Sequence, residues 1–342
     1  MRYLSSLKPS ALRGKICVLR LDFNTEDNWR LEASVPTLTL LTAHCKAVVI
    51  VSHKGRPVGY DKAFSLQPIT RVLSKNIGHQ VTFIPHFHFK EAQELIQSSP
   101  QGSVFLMENL RFLDGEAQNS DILAEHLASL GDFYVNDAFA VSHRSNASVA
   151  AITKFLDSYA GLELEAELEN LTKVMKKSKK PLIVILGGLK IEDKLGVVEN
   201  LQDRASVFLV GGALTPALLL KLEMNSKIKP AIDFKKNLSG AIRDIGPETV
   251  KLFKQDIARA RTIIWNGPMG DIKDKKFEAG TEALGRAIAA NKTAFKVIGG
   301  GETVMYMKHL KLDKKIDFVS TGGGAMLDFL AGKKLPGIEA LE

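Results

Sequence analysis

Short apolar runs of strand length alternate with amphipathic helical stretches along this chain, and no hairpin signal joins neighbouring runs. A first series is ICVLRL (16–21), AVVIV (47–51), VTFI (81–84), VFLM (104–107) and DFYV (132–135). A second is LIVIL (182–186), VFLV (207–210), TIIW (262–265), FKVI (295–298) and DFV (317–319). Unbroken apolar runs suit strands buried on both faces, and intervening helices supply the crossovers that parallel pairing needs. The pattern predicts an α/β fold of parallel sheets with helices on both faces. A length of 342 residues suits two domains, at about 150 residues each.

Between the two series lies LELEAELENLTKVMKK (162–177), where Leu164, Leu168, Leu171 and Met175 form one apolar helical stripe. Gly161 precedes it and Pro181 follows its lysine-rich end, as helix boundaries require. This segment reads as the connector between two lobes, its stripe serving packing.

Ligands on such sheets gather beyond the carboxyl ends of the strands. In the second series those ends are glycines: ILGG (185–188), FLVGG (208–212), VIGGG (297–301) and VSTGGGA (319–325). Bare backbone amides there can approach a phosphate closely, helped by a following helix N-terminus. GGLKIEDK adds Lys190 and Lys194 one helical turn apart, and GGGETV sets Glu302 and Thr303 after Gly301. A carboxylate at Glu302 suits a magnesium ion carried by phosphates, and equally an acid favoured at a helix start.

In the first series the strand ends carry charge: Asp22 and Asn24 in RLDFN, His53 and Arg56 in SHKGRP, Arg111 in ENLRF, His143 and Arg144 in NDAFAVSHRS, with Arg30 opening the next helical stretch. Singly, each has a structural use: Asp22 as a helix cap, His53 as a satisfied core histidine, Arg111 as an ion-pair partner. Converging from successive strands, the guanidinium forks suit an anion with several charged groups.

The net charge of +8 favours anionic partners. No basic tail or aromatic-interleaved lysine block suggests nucleic acid, and KKSKK (176–180) reads as a solvated helix end. Cys17 and Cys45 sit in or beside apolar runs and read as buried thiols of a reducing compartment. With no signal pattern and no run of about 18 apolar residues, the expectation is a cytoplasmic protein that does not enter a membrane. GxxxxGK[ST], GxGxxG, C-x-x-C and H-E-x-x-H are absent. Phosphoryl transfer fits that gap, because it needs mainly positioning and electrostatics.

RLDFN, SHKGRP, ENLRF, VNDAFAVSHR, ILGGLKIEDK, DIGPET, WNGPMG, VIGGGETV, VSTGGGA and GKKLPGIEAL resemble the signatures of the phosphoglycerate kinase family, in that family's order from about residue 16 to 341. The resemblance implies two Rossmann-like lobes that close about a hinge helix. It sets a triose-phosphate lobe at 1–160, an interdomain helix at 161–180 and a nucleotide lobe at 181–325, with a tail from about 326 to 342 packing back on the first lobe. It implies reversible transfer of the acyl phosphate of 1,3-bisphosphoglycerate to Mg-ADP, giving 3-phosphoglycerate and ATP, by a monomer. Asp22, Asn24, Arg30, His53, Arg56, Arg111 and Arg144 resemble the triose-binding set. Arg30 and Lys190, with amides at Gly322, Gly323 and Gly324, resemble the groups that stabilise the phosphoryl in flight. Gly187, Lys190, Lys194, Gly211, Asn266, Gly301, Glu302 and Thr303 fall in the implied nucleotide cleft, with Glu302 the implied Mg2+ ligand.

The chain departs from that pattern at several points. Glu302 stands where the family has aspartate, and Ile272 and Lys273 replace a phenylalanine–glutamate pair whose acid binds ribose hydroxyls. A lysine cannot accept those hydrogen bonds. Asn146 replaces a second histidine, the loop after Asn24 is trimmed, and residues 220–244 are a shortened stretch with KIKPAIDF as a remnant strand. These departures also admit an alternative: a catalytically weak relative serving as a phosphate-ligand binding or scaffold protein.

Overall fold

The computed structural model describes residues 1–25, 28–212, 214–215 and 226–342. The chain divides into two compact units, Met1–Glu167 with Lys334–Glu342, and Leu168–Lys333.

The first unit is built on a six-stranded sheet of order β3-β4-β2-β1-β5-β6. Its strands are β1 (Ile16–Arg20), β2 (Ala47–Val51), β3 (Val81–Ile84), β4 (Ser103–Met107), β5 (Phe133–Asn136) and β6 (Ser158–Ala160). Every pairing is parallel. Each position of β1 and β2 is buried, as expected of strands covered on both faces. Leu19, Ile50 and Leu106 lead a core that extends to Leu38 and Leu41 of the helix Trp29–His44. Lys334–Glu342 also pack in this unit: Leu335, Ile338 and Leu341 are buried, and Gly337 N–H donates to the Ser142 carbonyl at 2.8 Å.

The second unit holds a six-stranded parallel sheet of order β14-β13-β12-β7-β8-β9. Here the strands are β7 (Leu182–Leu186), β8 (Val207–Val210), β9 (Ile228–Pro230), β12 (Thr262–Asn266), β13 (Phe295–Gly299) and β14 (Phe318–Val319). An antiparallel hairpin of β10 (Phe234–Lys236) and β11 (Ile242–Ile245) stands apart from it. Asp233, just before that hairpin, accepts the N–H groups of Glu248 and Thr249, capping the helix Pro247–Arg259. The helix Gly324–Leu330 belongs to this unit and packs on the helix Glu192–Leu201.

The α/β fold and every strand expected from an apolar run are present. The hairpin departs from the expectation of an all-crossover topology. Of the shortened stretch 220–244, residues 220–225 lie outside the described residues; the remainder forms β9, β10 and the start of β11. In the trimmed loop after Asn24, residues 26 and 27 lie outside them too. The connecting helix runs Leu162–Lys177, and the division between units falls after Glu167. Its stripe is buried at Leu164, Leu168 and Leu171 and continues at buried Val174 beside half-buried Met175, three and four positions on and so on the same helix face. Among the described residues no helix is long and apolar enough to cross a membrane.

Candidate functional site

In the first unit, Asp22 gathers the groups around the end of β1. Its Oδ2 accepts from Arg30 Nη1 at 2.8 Å, and its Oδ1 accepts the Asn24 N–H at 3.1 Å. Asn24 Oδ1 in turn accepts the Gly55 N–H at 2.8 Å, tying the loop after β1 to the loop after β2. His53 is buried, with Nδ1 3.1 Å from Arg20 Nη2 and 3.8 Å from Asp22 Oδ1. Burial alone would raise the Asp22 carboxyl, but the surrounding guanidinium groups and the Asn24 N–H hold it below the ordinary range.

Arg111 and Arg144 complete the cluster. Arg111 Nη2 reaches Asn146 Oδ1 at 3.5 Å, and Arg144 Nε reaches His143 Nε2 at 3.3 Å. Both guanidiniums are pushed below their usual range, first by burial; Arg20 and Arg56 add to this for both and Arg111 for Arg144, against the pull of Glu116 on Arg111 and of Asp22 on Arg144. Among the described residues, Arg30 Nε and Arg111 Nε are buried without a hydrogen-bond partner. Such a cluster is short of negative charge, the condition an incoming anion relieves.

The second unit places its candidates around a cavity of about 400 Å³ at the strand ends. Gly187, Lys190, Lys194, Asn266, Gly301, Glu302 and Thr303 line it, as do Gly323 and Gly324. Lys194 is nearly buried and donates to the Lys190 carbonyl at 3.0 Å; burial, outweighing neighbouring Asp193, lowers its ammonium pKa. Thr303 Oγ1 is buried with no partner among the described residues. Gly300, at φ +87°, turns the chain from β13 into the helix Gly301–His309, a conformation that favours glycine.

Two expected residues do not line this cavity. Gly322 lends its N–H to Ser320 Oγ at 3.1 Å, so that amide is already spent inside its own turn. Gly211 is packed under Met269, and it is Gly212 that borders an adjoining cavity of about 230 Å³. That second cavity is lined by Ile242 and Arg243 of β11, by the stretch from Pro268 to Lys273, and by Glu302, which both cavities share. Arg243 Nη2 pairs with Asp271 Oδ2 at 3.1 Å.

Sequence reasoning missed Arg243, because nothing in its short charged strand marks a ligand wall. It also missed Arg20, a fully buried arginine at the end of an apolar strand. The signal for Arg20 was a charge inside an otherwise apolar run.

The family model described as phosphoglycerate kinase matches residues 7–236 and 220–333. The phosphoglycerate kinase of Thermosipho africanus is 36% identical over 96% of each chain, and that of Dictyoglomus turgidum 34% identical over 98% of each. The crystal structure of phosphoglycerate kinase from Pyrococcus horikoshii superposes with a TM-score of 0.90 at 30% identity, covering 100% of this chain and 98% of that one. Agreement of sequence and fold over essentially the whole chain leaves one assignment: this protein is a member of the phosphoglycerate kinase family.

Proposed function

We propose that the chain transfers the acyl phosphate of 1,3-bisphosphoglycerate to the β-phosphate of Mg-ADP, reversibly, giving 3-phosphoglycerate and ATP. The observation that carries this reading is the pairing of an anion-starved guanidinium cluster in one unit with a lysine- and amide-lined cavity in the other. Membership of the family supplies the reaction; the residues supply the means.

Asp22, Asn24, Arg30, His53, Arg56, Arg111 and Arg144 bind the three-carbon phosphate ester, with Asp22 holding Arg30 in place through its 2.8 Å bond. Arg30 neutralises charge on the acyl-phosphate side and Lys190 on the nucleotide side. Gly323 and Gly324 offer amides to phosphate oxygens, Lys194 steadies the nucleotide phosphates, and Gly187, Asn266, Gly301 and Thr303 shape the floor. The acyl P–O bond breaks as a bond to an ADP oxygen forms. That oxygen is already ionised at neutral pH, so no general base is needed. Fixed positive groups lower the barrier by meeting the charge spread over the phosphoryl oxygens.

Glu302 fits a magnesium site: it is an oxygen donor on the wall shared by both cavities, and Mg2+ commonly takes one carboxylate with phosphate oxygens and waters. When bound, the ion would screen the phosphate charges. We infer a cytoplasmic location, a monomer, and no nucleic-acid or membrane partner.

One observation favours a second reading, ligand binding without turnover: Lys273 pairs with that same Glu302 at 3.3 Å. A coupled assay across several Mg-nucleotides decides. Turnover on any of them supports the kinase reading; tight 3-phosphoglycerate binding with turnover on none replaces it with the second.

A further inference from the structure

Arg20 ends β1 with its side chain fully buried, and every side of its guanidinium is committed. Nε donates to Ser148 Oγ at 2.9 Å and Nη1 donates to the Leu21 carbonyl. Ser148 is itself fixed: its Oγ donates to Glu116 Oε1 at 2.7 Å, its N–H donates to Glu116 Oε2 at 3.0 Å, and its carbonyl accepts from Tyr134 Oη at 2.7 Å. Buried Glu116 thus supplies the negative charge this arginine needs, relayed through a serine. The remaining nitrogen, Nη2, lies 3.1 Å from His53 Nδ1.

A guanidinium has donors and no acceptor. The contact therefore forms only if His53 Nδ1 presents a lone pair, and in a neutral imidazole the ring proton then sits on Nε2. Asp22 Oδ1, at 3.8 Å from the same Nδ1, is beyond hydrogen-bond reach and does not compete. The ring is neutral: burial first, then Arg20, with Arg111 and Arg144 adding to it, brings its pKa to about 3 against the pull of Asp22. At the far side, His53 Nε2 is buried and has no partner among the described residues. A buried donor left unmade is destabilising, so it calls for an acceptor that arrives with a ligand.

We infer that Arg20 is a positioning residue: it locks His53 in the Nε2–H tautomer, so that this N–H donates to an oxygen of the bound phosphorylated three-carbon acid. His53 is then a neutral donor among the arginines, reading an oxygen's position without adding charge. This rests on reading the first unit as the triose-phosphate site.

The test is long-range ¹H–¹⁵N NMR on the full-length ¹⁵N-labelled protein, with the His53 signals identified from a His53→Gln sample. The expected result is a single Nε2–H tautomer that does not titrate between about pH 5 and 8, and an Nε2–H resonance that shifts on addition of 3-phosphoglycerate. Arg20→Met removes the donor. It should mix the tautomers and raise KM for 3-phosphoglycerate roughly tenfold, the worth of about one hydrogen bond, with a much smaller change in kcat. Arg20→Lys, which keeps a donor, should restore the tautomer and most of the KM. If Arg20→Met does not fold, Ser148→Ala loosens the same guanidinium and should move the tautomer ratio the same way. A wild-type Nδ1–H tautomer, or a His53 that titrates near neutrality, overturns the assignment. So does an Nε2–H unmoved by 3-phosphoglycerate. A protein that turns over no nucleotide yet shows the ligand-induced shift refutes the kinase reading and supports this one.

Discussion

Lys273 Nζ, on the wall of the smaller cavity of the second unit, lies 3.3 Å from Oε1 of Glu302, which lines both cavities. Both side chains are largely exposed, at 80% and 56%, so the pair contributes no more than about 1 kcal/mol to folding. Its consequence is competitive, because a divalent ion reaching for Glu302 must first release the ammonium. Lys273→Met should leave the melting temperature unchanged and lower the Mg2+ concentration for half-maximal Mg-ADP binding about two- to fivefold, the equivalent of that weak pair. Calorimetric titration at fixed ADP reads this. An unchanged Mg2+ midpoint would free Glu302 from any competition.

Arg30→Ala and Lys190→Ala should each lower turnover by about two orders of magnitude or more, as loss of a preorganised positive group does. Their effects on stability should differ. Lys190 is exposed, so its removal leaves the fold intact. Arg30 holds the nearly buried carboxylate of Asp22, and leaving that carboxylate without its partner should cost about 1–3 kcal/mol. Denaturant melts beside the coupled assay separate the two. A Lys190→Ala protein that keeps most of its turnover removes that residue from the mechanism.

The legible part of this fold is what hydrophobic periodicity can encode. A parallel strand buried on both faces reads as a near-continuous apolar run, so β1, β2, β7 and β12 stand out in the sequence. The hairpin strands β10 and β11 carry lysine, arginine and aspartate within a few positions, and neither alternation nor an apolar run announces them. The strand-end residues of the candidate site were legible as a set because the topology places all strand ends on one edge. Arg20 was not, since its partners Ser148 and Glu116 lie far along the chain and only folding brings them to it. The spent amide of Gly322 could have been read locally, as Ser320 stands two residues before it.

Gly267 makes one of the close backbone approaches of the second unit. It sits at φ +89°, and a Cβ there would overlap the Gly187 carbonyl oxygen. Gly267→Ala should cost about 2–4 kcal/mol, from backbone strain and steric overlap together, and should weaken Mg-ADP binding in the folded fraction. Gly301 is the contrast: a Cβ there meets nothing within 4 Å and its φ is ordinary. Gly301→Ala should change stability by less than about 1 kcal/mol while keeping its amide. Equal losses in the two variants, by urea titration, would contradict the steric account.

Asp137 supplies a pH dependence whose sign is fixed by its surroundings. Its Oδ1 accepts the N–H groups of Glu163 and Leu164 at 2.9 and 3.0 Å, capping the helix Leu162–Lys177 from the end of β5. Its Oδ2 is buried with no hydrogen-bond partner among the described residues. Burial raises the carboxyl to about 6, outweighing the bonds from Thr37, Leu164 and Glu163 that favour the charge. The folded state therefore holds this proton more tightly than the unfolded chain, where an aspartate titrates near 3.8. The site's contribution to stability is complete below that lower value and is lost as the pH rises through 6. Asp137→Asn keeps an acceptor for the two amides and cannot titrate. Asp244, also raised to about 6, is common to both proteins and cancels in the comparison. The stability of the Asn variant relative to wild type should rise between about pH 4 and 7 by on the order of 1–3 kcal/mol. Urea melts at intervals across that range measure it, and parallel profiles for the two proteins would mean that Asp137 is charged in the folded state throughout.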